Sequence, residues 1–252
     1  MVDARELIRA LDDLLQPHAF DDMGPNGLQV PGTRAIERVA TGVTAQRALF
    51  ERAIEQDAQL VLVHHGLFWN FAPVGLTRLL AERLRPLFRH DVALAAYHLP
   101  LDAHPEVGNN ALICEALGLR RGEPFAEVKG RSIGFVGHAA APIGLDRLVD
   151  RCRQAFGRDP LVLPAGDGEV ARVGVVSGGG GSSLAEAADL GLDALVTGEP
   201  EEPSMADAAE TGVSLIAGGH YATETFGVRR LGELVAERFG VEHRFVEVPN
   251  PV

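Results

Sequence analysis

Residues 61–70 read VLVHHGLFWN, and this stretch decides how the rest of the chain is interpreted. Residues 60–63 are apolar and partly β-branched, which is typical of a buried central strand rather than a helix. His64 and His65 follow where that strand ends, and Gly66 allows the backbone to turn sharply. Open α/β sheets bind their ligands at the carboxyl ends of strands. The paired imidazoles therefore predict a metal or ligand site at this edge of a sheet.

The two adjacent histidines leave more than one interpretation open. Successive strand side chains point to opposite faces, so the two imidazoles bind one metal only if the chain bends, and two metals if it does not. The simpler alternative is a pair of polar residues that closes a strand, and a lone histidine would favour it. Ligand-type residues after two further predicted strands weaken this alternative without removing it.

Two more clusters of ligand-type residues follow predicted strands. They are His98 with Asp102, and His220 with Glu224. The second pair is spaced i, i+4, so a helix that begins near His220 places both side chains on one face, whereas a later start leaves them at a loop–helix junction. Imidazole and carboxylate suit Zn, Fe, Mn or Ni without selecting among them. Together the three clusters offer more potential ligands than one metal ion with an open coordination position requires. This number favours two metals about 3.5–4 Å apart.

Composition places the chain among globular proteins with a substantial core. It has 252 residues, of which 46% are hydrophobic and 23% charged, enough for one large or two ordinary domains. The net charge of -12 argues against a surface built to bind nucleic acid. Cys114 and Cys152 lie apart without C-x-x-C spacing and are predicted to be buried thiols of a reducing cytosol. With no apolar run of membrane-spanning length and an acidic amino-terminal segment, we expect a cytoplasmic protein.

Strand and helix patterns alternate along the chain, which predicts the α/β class with mainly parallel sheets and right-handed crossovers. Residues 21–32 and 98–110 are rich in Pro, Gly and Asn and are predicted to be irregular. The composition becomes polar near residue 124, where we predict a domain boundary. Residues 1–124 with 222–252 then form the first domain, and 125–221 the second. Helices are predicted at 4–16, 45–56, 76–88, 111–117, 145–156, 205–211 and 224–238, and strands at 38–43, 60–63, 92–97, 131–140, 161–163, 172–176, 193–197, 213–217 and 243–248.

The glycine run at 178–181 precedes Ser182 and Ser183 at a predicted strand-to-helix turn. Backbone amides at such a helix start could cradle phosphate. The run matches neither the P-loop pattern nor a complete G-x-G-x-x-G fingerprint, so a tight turn with the serines as caps is favoured. The pattern G-x-S-x-G occurs at 130–134 as GRSIG, but it leads into a predicted strand and does not join a strand to a helix, so it gives no support to a serine hydrolase.

The ligand-bearing motifs together resemble those of the Nif-three-like dinuclear metal-centre family, whose members are often labelled GTP cyclohydrolase I type 2 homologues. GLQV at 27–30 fits the same pattern, and the chain resembles the short form without a mid-chain insert. The resemblance implies two interlinked α/β domains with a two-metal site in the cleft between them, and assembly as a toroidal homohexamer, a trimer of dimers. The matching motifs are HHGLFWN at 64–70, HLPLDAHPEVGNNA at 98–111, SGGGGSS at 177–183, TGE at 197–199 and AGGHYATE at 217–224.

The resemblance also implies roles for individual residues. Asp102 or Glu224 would be the carboxylate that bridges two divalent metal ions. His98 matches a histidine near the metals, either as a further ligand or as a catalytic proton donor to bound water. The metal ligands implied by the motifs are His64, His65, Asp102, His220 and Glu224.

The same resemblance implies a metal-dependent hydrolase that opens the guanine imidazole ring of GTP or a related nucleotide. Two alternatives from other classes remain. One is a metal-binding or metal-insertion chaperone without turnover. The other is a toroidal nucleic-acid-associated protein, which the acidic net charge disfavours.

Overall fold

The computed structural model of the protein describes residues 1–73, 75–166 and 168–252. These residues group into two compact units. Unit 1 contains Met1–Leu101 and Gly227–Pro249, and unit 2 contains Asp102–Phe226 and Asn250–Val252. Each unit combines a sheet with helices, so the predicted α/β class is confirmed. The domain limits proposed from composition stay a prediction.

The helices and strands alternate along most of the chain. Short 3₁₀ turns occur at Pro17–Ala19 and Gly180–Ser183. In chain order the elements are α1 (Ala4–Leu15), β1 (Gly27–Val30), β2 (Arg38–Thr44), α2 (Arg47–Glu55), β3 (Leu60–His65), α3 (Arg78–His90), β4 (Ala93–Ala96), α4 (Leu99–Ala103), α5 (Asn109–Ala116), β5 (Arg120–Val128), β6 (Arg131–Gly144), α6 (Leu145–Phe156), β7 (Leu161–Leu163), β8 (Glu169–Val175), α7 (Leu184–Asp189), β9 (Ala194–Thr197), α8 (Ser204–Thr211), β10 (Ser214–Ala217), α9 (His220–Thr223), α10 (Thr225–Phe239) and β11 (Glu242–Phe245).

The sheet of unit 1 has the strand order β1-β4-β3-β2-β11 and is mainly parallel. Of the strands described in this unit, only the edge strand β1 runs antiparallel, along β4. β3 is the central strand, and all four residues from Leu60 to Val63 are fully buried. Helices α2 and α3 cover one face through Phe50 and Leu87, which pack with side chains of β3 and β4. The apolar run before His64 therefore lies at the centre of this sheet, as predicted.

The sheet of unit 2 has the strand order β5-β6-β8-β9-β10-β7 and is mixed. Its centre, β8-β9-β10, is parallel, whereas β5, β6 and β7 add antiparallel pairings. Helices α5 and α6 pack on this sheet and contribute Cys114 and Cys152 to its core. Both thiols are buried and free, and burial raises the pKa of each to about 12. The prediction of buried, unpaired cysteines is confirmed.

Three segments differ from the sequence prediction. β5 was not predicted, because its outward side chains are polar; it forms an edge strand paired with β6, and the compositional boundary near residue 124 falls inside it. β1 lies in a segment predicted to be irregular, and its pairing with β4 makes it a strand. The irregular stretch predicted at 98–110 contains α4 and the start of α5. Pro100 is compatible with α4 because it lies in the first helical turn, where its missing N–H is not needed.

Candidate metal centre

The first cluster lies in unit 1, where β3 and β4 are parallel neighbours and end at the same edge of the sheet. His64 and His65 close β3, and His98 follows β4. Their ring centroids are 4.8 Å apart for His64 and His65, and 5.0 and 5.5 Å from His98 to these two. One possible ligand nitrogen from each residue lies within 4.8 Å of the other two. Three predicted site residues therefore come together.

His64 is fixed by its backbone environment. Its side chain is fully buried, and Nδ1 lies 3.0 Å from the backbone carbonyl oxygen of Tyr97. A carbonyl oxygen only accepts hydrogen bonds, so Nδ1 carries the proton and Nε2 carries the lone pair of the neutral ring. Histidines that bind metals almost always donate their other ring N–H in this way. His64 therefore has the tautomer and orientation of a metal ligand.

Aromatic side chains form one wall of this cluster. The Trp69 ring makes edge contacts with His65 and His98, with centroid distances of 5.9 and 5.2 Å. Phe71 stacks on Trp69 at 5.5 Å and an interplanar angle of 18°, and 72% of Phe71 is exposed. The contacts with Trp69 restrict rotation of the two imidazoles. The motif HHGLFWN thus supplies both the imidazoles of β3 and the ring that packs against them.

The second cluster lies in unit 2 and contains carboxylates. Asp102, in α4, is 4% exposed. Its Oδ1 accepts hydrogen bonds from Nδ2 of Asn109 at 2.8 Å and from Oγ of Ser177 at 3.0 Å. Because both donors are themselves buried, the carboxylate of Asp102 has a fixed position. Neither donor was predicted as a site residue, although both lie inside motifs that the resemblance identified.

His220 and Glu224 form the rest of this cluster. Since α9 begins at His220, the i, i+4 spacing brings its Nε2 to 3.1 Å from Oε1 of Glu224. Nδ1 of His220 contacts the carboxylate of Glu199, which closely follows β9. Burial alone lowers the pKa of His220, but the hydrogen bonds and charges of Glu224 and Glu199 outweigh it and raise that pKa to about 9. The sequence had not assigned Glu199 a role beyond its place in TGE.

Gly178 has a steric reason to be glycine. Its φ is +64°, a conformation that side chains other than glycine rarely adopt. A Cβ atom there would overlap Oε1 of Glu224 and lie 3.2 Å from Nε2 of His220. The backbone N–H of Gly178 donates to Oγ1 of Thr223 at 3.1 Å, so this amide is directed to the protein itself. The tight-turn interpretation of the glycine run is favoured over a phosphate cradle.

The donor set fits divalent transition metals. Unit 1 offers three imidazoles whose ligand nitrogens converge, and unit 2 offers a buried aspartate and a glutamate in contact with an imidazole. Imidazole nitrogen and carboxylate oxygen are ligands of Zn, Fe, Mn and Ni, and the set selects none of these over the others.

Within the part of the chain that the structure describes, none of the helices has the length and apolar composition needed to span a membrane.

Comparisons with known proteins agree over the whole chain. The sequence model of the family described as Duf34/NIF3 (NGG1p interacting factor 3) matches residues 2–251. A Deinococcus radiodurans protein named GTP cyclohydrolase 1 type 2 homolog is 44% identical over 245 residues, covering 97% of this chain and 93% of the relative. A protein of the same name from Allochromatium vinosum is 43% identical over 251 residues, covering 100% and 98%.

Solved structures show the same fold. The structure described as protein ybgI, of unknown function, superposes with a TM-score of 0.94 at 36% identity and covers 100% of both chains. The structure of TTHA1606 from Thermus thermophilus gives a TM-score of 0.90 at 36% identity, again with full coverage of both chains. The arrangement of helices and strands described above is therefore shared with experimentally determined proteins.

Proposed function

This chain belongs to the Duf34/NIF3 family, and on that premise we propose that it is a hydrolase that uses two divalent metal ions and acts on GTP or a related nucleotide. The observation that carries the proposal is the group of three imidazoles, His64, His65 and His98, whose ligand atoms lie within 4.8 Å of one another. The name shared by many relatives supports the substrate class. The acidic net charge disfavours nucleic acid as the substrate.

The proposed metal ligands are the residues that the motifs indicate, namely His64, His65, Asp102, His220 and Glu224. When bound, the ions supply Lewis acidity and lower the pKa of coordinated water towards about 7. The protein contributes fixed ligands. His64 is oriented by a backbone carbonyl, and Asp102 by Asn109 and Ser177. Preorganised ligands of this kind reduce the free energy needed to order the site on binding.

His98 is the proposed acid–base residue, with a role as a further ligand as the alternative. Its side chain is 14% exposed, whereas His64 is fully buried, so His98 can exchange protons with solvent more readily. Its contact with Trp69 limits rotation of the ring. In hydrolytic opening of the guanine imidazole ring, one water molecule adds to the ring carbon and one C–N bond breaks. His98 would take up or deliver the proton that this exchange requires.

The decisive experiment uses metal-free protein loaded separately with Zn, Fe, Mn or Ni and incubated with GTP. The expected result is a product heavier than GTP by one water, formed only with metal and lost in Asp102→Asn. No metal-dependent turnover with any of the four metals would remove the hydrolase proposal. If the loaded protein instead passed its metal to an acceptor without turnover, the metal-insertion function would replace it.

The proposed assembly is a homohexamer, a trimer of dimers, as the resemblance implies, and the proposed location of the protein is the cytoplasm. Light scattering on the purified protein measures the assembly directly, because a hexamer has six times the 26.8 kDa mass of one chain. A monomeric mass across the accessible concentration range would contradict the assembly and leave the chemistry of the metal centre unaffected.

A further inference from the structure

A buried carboxylate in the loop before β1 contacts the ring of His98. Only 3% of the Asp22 side chain is exposed, and its Oδ1 lies 2.7 Å from Nδ1 of His98. Its Oδ2 accepts hydrogen bonds from the backbone N–H of Leu99 at 3.0 Å and from Nδ2 of Asn26 at 2.8 Å. Asn26 in turn accepts the backbone N–H of His98 at 2.7 Å. Two side chains of one loop therefore hold both the backbone and the ring of His98.

The hydrogen bonds of Asp22 determine which partner donates. The carboxylate also accepts the backbone N–H of Met23 at 2.6 Å, so several donors surround it. The backbone N–H of Leu99 and Nδ2 of Asn26 donate to the other oxygen, and hydrogen bonds from this number of donors favour the ionised carboxylate. An ionised carboxylate has no proton to give. The proton between Asp22 and His98 therefore belongs to Nδ1 of the imidazole.

We propose that Asp22 is a positioning residue that fixes neutral His98 as the Nδ1–H tautomer and presents its Nε2 lone pair to the cluster with His64 and His65. The ring centroid of His98 lies 5.0 and 5.5 Å from those of the other two. This inference rests on the proposed function, in which Nε2 of His98 acts either on a proton or on a metal. Taking up a proton and binding a metal both need the lone pair on Nε2 and not on Nδ1, and a proton taken up at Nε2 can be delivered from the same atom.

Asp22 has a second effect on the same part of the chain. Leu99 is the first residue of α4, so the hydrogen bond from its backbone N–H to Oδ2 satisfies one of the donors that every helix start leaves unpaired. Asp102 lies three residues further along this short helix. One carboxylate thus orients the His98 ring and anchors the start of the helix that carries a proposed metal ligand.

The test is the protonation of the two ring nitrogens of His98, measured by NMR on metal-free protein labelled with ¹⁵N-histidine at mildly alkaline pH. The signals of His98 are identified by their loss in His98→Asn. The expected wild-type spectrum shows a protonated Nδ1 and an unprotonated Nε2. A wild-type spectrum with the proton on Nε2 overturns the inference. This measurement does not require any Asp22 variant to fold.

Asp22→Asn makes the test sharper. On the Oδ2 side the new amide meets two fixed donors, the backbone N–H of Leu99 and Nδ2 of Asn26. On the Oδ1 side it meets one fixed donor, the backbone N–H of Met23, beside the His98 ring, which can change its tautomer. The amide oxygen is therefore expected on the Oδ2 side, with the NH₂ group facing Nδ1 of His98. Nδ1 must then accept, and the proton moves to Nε2. We expect the tautomer of His98 to reverse in Asp22→Asn. It should stay unchanged in Asp21→Asn, which also removes one negative charge but at the exposed neighbouring residue. A folded Asp22→Asn protein with the wild-type tautomer contradicts the inference.

Three outcomes separate this inference from a role of Asp22 in folding and from the proposed function. A role of Asp22 in folding alone would lower the stability of Asp22→Asn without reversing the tautomer. Absence of GTP turnover would remove the hydrolase proposal, and the expected His98 spectrum, which supports the role of Asp22, would be unaffected. The opposite result, turnover with the proton of His98 on Nε2, would retain the hydrolase and remove the role assigned to Asp22.

Discussion

At the scale of single residues, three histidines of the candidate centre direct Nδ1 at an oxygen acceptor. His64 uses a backbone carbonyl, His98 uses Asp22 and His220 uses Glu199. This is the arrangement in which histidines bind metals through Nε2, because the acceptor fixes both the tautomer and the direction of the ring. The use of Nδ1 in this way is therefore common to the cluster of unit 1 and the cluster of unit 2, and is not a property of one side chain.

The sequence patterns identify the histidines but not the carboxylates that contact their Nδ1 atoms. Imidazoles directly after apolar strands are visible as a pattern, because the strand defines where its carboxyl end lies. Asp22 is 76 positions from His98, and Glu199 is 21 positions from His220. Contacts over such separations have no periodicity or spacing that a single sequence displays. They appear only once the fold has brought the residues together.

Removing the acceptor behind His220 is expected to weaken metal binding. Glu199→Ala leaves Nδ1 of His220 without its carboxylate, and loss of such a partner typically reduces metal affinity about 10- to 100-fold. Glu199→Gln keeps an acceptor oxygen and should lose less. Calorimetric titration of metal-free protein with Zn²⁺ measures both, and Glu202→Ala, at an exposed position, is the control. Equal affinity in Glu199→Ala and the wild type would show that Glu199 does not support the site.

Gly178→Ala tests the close approach of the backbone to Glu224. The φ of +64° alone is expected to cost on the order of 1 kcal/mol of stability for alanine. Gly157→Ala carries the same conformational cost, since its φ is +67° and a Cβ there meets nothing within 4 Å. In urea unfolding we expect Gly178→Ala to lose more stability than Gly157→Ala, and to lose metal affinity as well. Equal losses in both variants, with metal binding intact, would rule out the clash.

At the scale of helices and strands, the sequence predicts the buried elements better than the half-exposed ones. α6 was predicted at its observed bounds, because Leu148, Cys152 and Phe156 repeat at helical spacing and face the core. The buried strands β3, β9 and β10 were recognised by their short apolar runs. β1 and β5 were missed because edge strands are half solvated and their polar residues resemble those of loops. β1 is a strand because it pairs with β4, far along the chain, and β5 is a strand because it forms a hairpin with β6.

The contact between β11 and α10 predicts a pH dependence of stability. His243 packs against Gly232 and lies 2.8 Å from Oγ1 of Thr41 through Nε2. Burial lowers its pKa below the usual 6.5, with Glu233 opposing this and Arg229 adding to it. Below pH 6.5 this residue therefore binds more protons in the unfolded chain than in the folded one. The free energy of unfolding is consequently highest above that pH and falls as the pH drops towards the lowered pKa of His243.

His243→Gln is expected to remove that part of the acid sensitivity. The variant should lose less stability than the wild type when urea unfolding is compared at neutral pH and at pH values below 6.5. His90→Gln, at an exposed position, is the matched control and should follow the wild type. If His243→Gln and the wild type lose the same stability over this range, His243 is not a source of the acid sensitivity.

At the scale of the whole molecule, bound metal should stabilise the fold. A ligand that binds only the folded chain adds about 2.7 kcal/mol when its free concentration is 100 times Kd, which for a chain of this length is roughly 5–10 °C in Tm. We expect a chelator to lower Tm and added Zn²⁺ to restore it, with no response in Asp102→Asn. Glu210→Gln, which removes an exposed carboxylate, should respond as the wild type does. A full metal-dependent shift in Asp102→Asn would place the ions elsewhere in the molecule, because loss of a ligand carboxylate must weaken binding of a divalent cation at its own site.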